Sequence, residues 1–218
     1  MTRTLFQRKV PEHVIVEEAC EVLSSGGIAV LPTDTVPGIG CRADDIRAVR
    51  RLFRLKGRPA DLPVPIILAD TPEIRRYSPR LPAVFKRLAQ HFWPGPMTIV
   101  VKSNGKLDPI LGGGGETLGF RVPDFPLLVE LVQTMECPIA LTSANPHGTE
   151  PSGYHTRLLA WWNHKVDLIV LGRSTAPKPP SAVVDISSRP YRILRDGPLD
   201  REDITSVLEE TGKHHHVP

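Results

Sequence analysis

Three short segments of this 218-residue chain share one chemical character: Pro32-Thr33-Asp34-Thr35, Thr142-Ser143-Ala144-Asn145 and Pro180-Ser181-Ala182. Each is read as a strand followed by small hydroxyl or amide side chains and then a turn. Such side chains can hold phosphate, carboxylate or hydroxyl groups through hydrogen bonds. Cations are distributed in the same way, with Lys56 and Arg58 in Lys56-Gly57-Arg58-Pro59, then Arg121, then Arg195 ahead of Asp196-Gly197. Hydroxyls and loop amides facing cations are what a phosphorylated, carboxylated ligand requires. No Cys-His or Ser-His-Asp set stands out, because the histidines fall in loops, on helix faces and in the tail. A site of hydroxyls and cations without a nucleophile suits group transfer between bound substrates, driven by positioning and charge stabilisation. Taken alone, the Leu31–Gly40 stretch that holds the first segment reads more readily as a strand end and turn beside a solvated basic helix end.

The elements that must position these residues can be read from periodicity. Apolar residues at 14, 15, 19, 22 and 23 fit a helix ended by Gly26-Gly27, and residues 28–31 a short buried strand. Residues 32–40 read as a Gly/Pro loop. Asp44 or Asp45 can cap the next helix, whose apolar Ile46, Val49, Leu52 and Phe53 leave its arginines on the other face. Strands are predicted at 64–68, 97–101, 118–123, 138–141, 167–171, 182–186 and 191–194. Further helices are predicted at 74–77, 83–92, 126–135 (capped by Asp124), 157–162 and 204–208 (capped from Asp200 or Asp203). The Gly112–115 run has no lysine after it and no strand-GxGxxG-helix context, so it reads as a mobile loop. Adjacent Trp161 and Trp162 on an amphipathic helix suggest that one of them is core. Intermingled strands and helices imply a single α/β domain around a mixed, twisted sheet with functional loops at strand ends.

Composition bounds the function. Hydrophobic residues at 40% and charged residues at 23% are ordinary for a globular protein. No apolar run approaches the length of a membrane span, and residues 1–10 are too polar and basic for a secretory signal. Cys20, Cys41 and Cys137 are odd in number and far apart, which argues for a reducing compartment, the cytoplasm by default, and against a zinc site. A net charge of +3 is too small to imply nucleic-acid binding outright, although the arginines between 42 and 58 form a locally basic face. The tail at 213–218, with three adjacent histidines, is expected to be disordered.

Seven motifs, in order, resemble the YrdC-like family of threonylcarbamoyl-AMP synthases. They are Pro32-Thr33-Asp34-Thr35-Val36-x-Gly38, Lys56-Gly57-Arg58-Pro59, Phe92-Trp93-Pro94-Gly95-Pro96-Met97-Thr98, Gly119-x-Arg121-Val122-Pro123, Thr142-Ser143-Ala144-Asn145, Ser181-x-Val183-Val184-Asp185 and Arg195-x-Gly197. The resemblance implies a YrdC-like domain over 12–208, with extensions at 1–11 and 209–218, and a concave basic cleft. It further implies synthesis of threonylcarbamoyl-AMP and pyrophosphate from L-threonine, bicarbonate or carbon dioxide, and ATP with Mg2+. A downstream threonylcarbamoyl transferase would then modify tRNA. By the same resemblance, Lys56, Arg58, Thr117, Ser143, Asn145 and Arg195 correspond to ATP contacts, with Lys56 and Arg58 catalytic. Thr33, Arg121 and Ser181 correspond to threonine contacts.

The chain departs from the family pattern at Pro37 (usually Tyr), Leu62 (commonly polar), Ala182 (usually a hydroxyl residue) and His147 (often Ser). Pro37, Leu62 and Ala182 are expected nearer the amino-acid half of the site. Two other readings therefore accompany the first: a paralogue that activates another carbamate or carbamoyl phosphate, and a module that binds tRNA or double-stranded RNA through the same cleft.

Overall fold

The computed structural model describes residues 1–175 and 178–209. Among these residues ten strands form one mixed sheet: β1 (Arg3–Phe6), β2 (Ala29–Leu31), β3 (Gly38–Arg42), β4 (Ile66–Ile67), β5 (Met97–Lys102), β6 (Thr117–Arg121), β7 (Ile139–Ser143), β8 (Leu168–Leu171), β9 (Ala182–Asp185) and β10 (Arg192–Arg195). Their order across the sheet is β1-β8-β2-β3-β7-β4-β6-β5-β9-β10. Pairings β1–β8, β2–β8, β4–β6 and β5–β9 are parallel and the other five antiparallel. The helices are α1 (Glu12–Ser24), α2 (Ile46–Lys56), α3 (Ala83–Phe92), α4 (Pro126–Met135), α5 (His155–Trp162) and α6 (Arg201–Glu209). This is the α/β domain expected from the sequence.

The two faces of the sheet are covered unequally, and that creates the site. One face packs along its length against α2, α3, α5 and α6, through residues such as Leu52, Leu88, Trp162 and Ile204. The other face is covered by α1 and α4, which pack on each other over Ala29, Leu31, Ile139, Leu168 and Val170. Alternation along the strands sorts side chains between these layers. On β5, Met97, Ile99 and Val101 enter the first core, and so do Leu118 and Phe120 on β6 and Ala182 and Val184 on β9. Their alternate neighbours Thr98, Val100, Thr117, Gly119, Arg121, Val183 and Asp185 lie where α1 and α4 do not reach, and they line a cavity instead.

Several local expectations are corrected. The loop after β2 ends at Pro37, because Gly38–Arg42 is a central strand paired with both β2 and β7. Its glycines hid it from a search for apolar alternation. A Cβ on Gly38 would stand 2.6 Å from the Leu141 side chain, so a strand of this shape excludes the larger residues that mark strands. The strand expected at 64–68 is only two residues long. The helix expected from Asp124 has Phe125 at its N-cap and no side-chain cap; the Asp124 amide donates to Asp34 Oδ2 at 3.1 Å. Residues 3–6, ahead of the expected domain, supply edge strand β1. Asp45, not Asp44, caps α2, accepting from the Arg47 and Ala48 amides at 2.9 and 3.2 Å. Trp162 is the core tryptophan of its pair, 1% exposed and donating to the Ala144 carbonyl at 3.0 Å. The three cysteines are free. The histidine-containing tail at 213–218 lies outside the described residues.

Candidate functional site

The cavity encloses about 370 Å³ and runs across the open face from β3 and β7 to β9 and β10. Of the nine residues singled out from the sequence, seven line it: Thr33, Arg58, Thr117, Arg121, Ser143, Ser181 and Arg195. Lys56 and Asn145 do not; they stand behind the wall.

Lys56 is the last residue of α2. The helix stops there because Gly57 turns into the left-handed region (φ +63), where its amide and that of Arg58 close on the Arg54 and Phe53 carbonyls. Lys56 is 3% exposed, and its ammonium donates to the carbonyls of Ser143 and Asn145, the latter at 2.9 Å. Two carbonyl dipoles do not neutralise a buried charge. Burial, with a smaller push from Arg58, lowers the Lys56 pKa to about 7. Asn145 is tied in the same corner: its Nδ2 donates to the carbonyls of Pro146 and Thr149 at 3.2 and 2.5 Å, while its buried Oδ1 has no partner among the described residues. Arg58 extends past this corner. Its Nε and Nη2 donate to the Leu62 and Pro63 carbonyls at 3.2 and 2.6 Å, and burial lowers its pKa.

Arg121, 6% exposed, is held differently. It donates to the Gly95 carbonyl (2.9 Å), to Thr35 Oγ1 (3.0 Å) and to Asp34 Oδ2 (2.6 Å). Three of its five N–H groups are thus committed, and two have no partner among the described residues. Desolvation by burial lowers its pKa and the Asp34 carboxylate opposes that shift. The Trp93–Pro96 turn serves this contact: Trp93 Nε1 donates to the Met97 carbonyl at 2.7 Å, and the Gly95 carbonyl is left facing Arg121. Thr33 Oγ1 accepts from the Thr35 amide at 2.9 Å and donates to the Val36 carbonyl at 2.7 Å, which stiffens the loop that carries Asp34.

Arg195 closes the far side. Its Nε donates to the Ser181 carbonyl (2.9 Å) and its Nη2 to Ser181 Oγ (3.2 Å), while Ser181 Oγ lies 3.0 Å from Thr98 Oγ1. Burial lowers the Arg195 pKa, and Arg121 and Arg58 lower it further. Arg195 is therefore repelled by the other two guanidiniums, which an anion placed among them would relieve. Sequence reasoning missed Thr35, Thr98, Val100, Gly119 and Asp185 as wall residues. For Thr98, Gly119 and Asp185 the signal was present, a hydroxyl, a glycine and a charge facing away from the apolar side of their strands; Val100 and the loop residue Thr35 carried none.

The departures at Pro37, Leu62, Ala182 and His147 all lie off the cavity wall. Pro37 contributes its carbonyl to the Ala144 amide at 2.8 Å, and Ala182 is fully buried in the core.

Fold and site together define a class: an α/β protein whose open sheet face carries a hydroxyl-lined pocket with three arginines in its wall. Comparison with known proteins makes the class specific. The Sua5–YciO–YrdC family, described as "Telomere recombination", matches residues 21–197, and the chain belongs to that family. It is 33% identical over 215 residues to a threonylcarbamoyl-AMP synthase of Pyrococcus abyssi, covering 98% of this chain and 63% of that protein. It is 32% identical over 176 residues to a threonylcarbamoyl-AMP synthase of Halorhodospira halophila, covering 81% of this chain and 92% of that protein. The structure of P. abyssi Sua5 complexed with L-threonine superposes with a TM-score of 0.88 at 29% identity, over 100% of this chain and 66% of that one. The chain thus spans a little under two thirds of the P. abyssi protein. No helix among the described residues is long and apolar enough to cross a membrane.

Proposed function

We propose that this chain is a nucleotidyltransferase that forms threonylcarbamoyl-AMP and pyrophosphate from L-threonine, bicarbonate or carbon dioxide, and ATP. The observation that carries this reading is the convergence of Arg58, Arg121 and Arg195 on one hydroxyl-lined cavity. The similarity to proteins named threonylcarbamoyl-AMP synthase supports the choice of substrates. The product would pass to a threonylcarbamoyl transferase acting on tRNA.

The amino acid takes the Arg121 end. Its carboxylate meets the two uncommitted N–H groups of Arg121, and its polar atoms meet the hydroxyls of Thr33 and Ser181. The threonine complex of P. abyssi Sua5 supports an amino-acid site on this fold. ATP takes the side of Lys56, Arg58, Thr117, Ser143, Asn145 and Arg195. The threonine amine adds to carbon dioxide, giving a carbamate and a proton. A carbamate oxygen then attacks the α-phosphorus, the bond from that phosphorus to the β-phosphate bridge breaks, and pyrophosphate leaves. This step brings one anion against another. Arg58 and Arg195 offset that repulsion and the charge gathering on the leaving group, in a site where fixed donors act more strongly than in water.

Lys56 works from behind the wall. It holds the Ser143–Asn145 turn in place through two carbonyls, and a triphosphate nearby restores the charged form that burial disfavours. Arg195 couples the two halves because it grips Ser181. Mg2+ enters as part of the nucleotide substrate.

The test is pyrophosphate release with substrates omitted one at a time. Release requires threonine, bicarbonate and ATP together, and Arg58→Ala lowers it by about a hundredfold. Release that continues without threonine rejects the reading.

A further inference from the structure

Asp185 has no part in the chemistry above, yet it is the one carboxylate that lines the cavity among the described residues, in a wall otherwise charged by three arginines. It ends β9, two residues after Val183 on the same strand face, and it pairs in register with Val100, which in turn faces Gly119. Its buried side chain is only half committed. Oδ1 accepts from the Ser187 amide (2.9 Å) and from Ser187 Oγ (2.6 Å), which fixes the carboxylate in place. Oδ2 has one weak partner, Nη2 of the exposed Arg192 at 3.4 Å.

An acceptor-only group in this position repels phosphate and carboxylate, so it must face a part of the ligand that is neutral or cationic and donates hydrogen bonds. Its neighbours on the wall, Val100, Val183, Gly119 and Leu194, are apolar or bare, and suit a flat or ring-shaped moiety. Of the hydroxyl and guanidinium groups that suit the amino acid, Thr98 is one pleat further along, level with Val183, and Ser181 is one pleat beyond that; Arg121 lies two residues past Gly119 on β6. We infer that Asp185 is a specificity-determining residue for the nucleotide, and that its Oδ2 accepts a hydrogen bond from a ribose hydroxyl in the slot formed by Val100, Val183 and Leu194. The inference rests on the reading of this cavity as a nucleotide site and adds to it a requirement for the ribose diol.

The experiment is calorimetric titration of the full chain with the magnesium complexes of ATP, 2′-deoxy-ATP and 3′-deoxy-ATP, for the wild type and for Asp185→Asn. A hydrogen bond to a charged acceptor predicts that the wild type binds ATP about tenfold more tightly than the analogue lacking the held hydroxyl. In Asp185→Asn that ratio shrinks to about threefold or less, because the acceptor has lost its charge. Equal binding of all three nucleotides by the wild type overturns the inference while leaving the nucleotide site intact, and needs no variant. So does an Asp185→Asn variant that weakens all three equally, the mark of a turn that merely lost its anchor. Weakened threonine binding with unchanged nucleotide binding overturns it in favour of the amino acid. A wild type that binds no nucleotide overturns the underlying reading as well.

Discussion

Two corners of the cavity each bury a cation, and they solve the problem in opposite ways. At one, Arg121 is neutralised in advance by Asp34 and braced by Thr35 and Gly95. At the other, Lys56 has only the carbonyls of Ser143 and Asn145, with no carboxylate among its hydrogen-bond partners. The first corner is balanced in charge before any ligand arrives, and what it offers is geometry: two N–H groups held in a fixed place. The second is electrostatically unfinished, and what it offers is driving force, since an incoming polyanion relieves a charge that folding left exposed to no counter-ion. A site that must accept one modest anion, a carboxylate, and one strong one, a triphosphate, gains selectivity from keeping these two arrangements apart.

The comparison can be broken at its strongest point first. Asp34→Ala strands the Arg121 guanidinium in a buried site. Removal of one partner of such a pair typically costs about 3–5 kcal/mol, so the denaturation midpoint should fall steeply. A loss below about 1 kcal/mol, the scale of a solvent-screened pair, would mean that Arg121 does not depend on Asp34. Next in size, Arg58→Ala should lower kcat/KM for ATP by about a hundredfold, as loss of one preorganised donor at developing charge does. An equal loss confined to the KM for threonine would move Arg58 to the other corner.

Lys56 gives a smaller effect with a definite sign. Its amine holds a proton up to the ordinary 10.5 in the unfolded chain but only to about 7 when folded. Between those values the unfolded state binds more protons, so stability should rise with pH, by at most about 1.4 kcal/mol per pH unit. Below pH 7 the full cost of the buried charge remains. Lys56→Met should flatten the curve from pH 7 to 9, measured as denaturant midpoints; parallel curves would contradict a depressed Lys56. The smallest effect belongs to Pro37→Tyr. Because Pro37 stands off the wall and contributes only its carbonyl, the KM for threonine should change by less than about threefold, or about 0.65 kcal/mol. A larger change would restore the expectation that this departure tunes the amino-acid site.

Much of this was legible in the sequence, and what was not has a physical cause. The helices at 83–92 and 126–135 and the strand at 97–101 carry strong periodicity, and they were found nearly to the residue. Strand β3 was hidden because Gly38 and Gly40 sit where side chains would strike Leu141 and Ala140. Arg121 could be picked as a carboxylate partner, but its pairing with Asp34 joins residues 87 positions apart and has no local signature. The same limit applies to Lys56: its place at a helix end was visible, but that it points at loop carbonyls rather than into the cavity depends on how β7 delivers residues 143–145. The unequal covering of the sheet, which leaves the β5-β6-β9 face open, follows from where α1 and α4 pack, and periodicity alone does not determine that.

The most direct test uses carbon-13 bicarbonate with threonine and ATP, followed by mass spectrometry of the nucleotide products. The account predicts an AMP adduct that carries both threonine and one labelled carbon, formed in step with pyrophosphate. Pyrophosphate and AMP appearing without a labelled threonine adduct would contradict it.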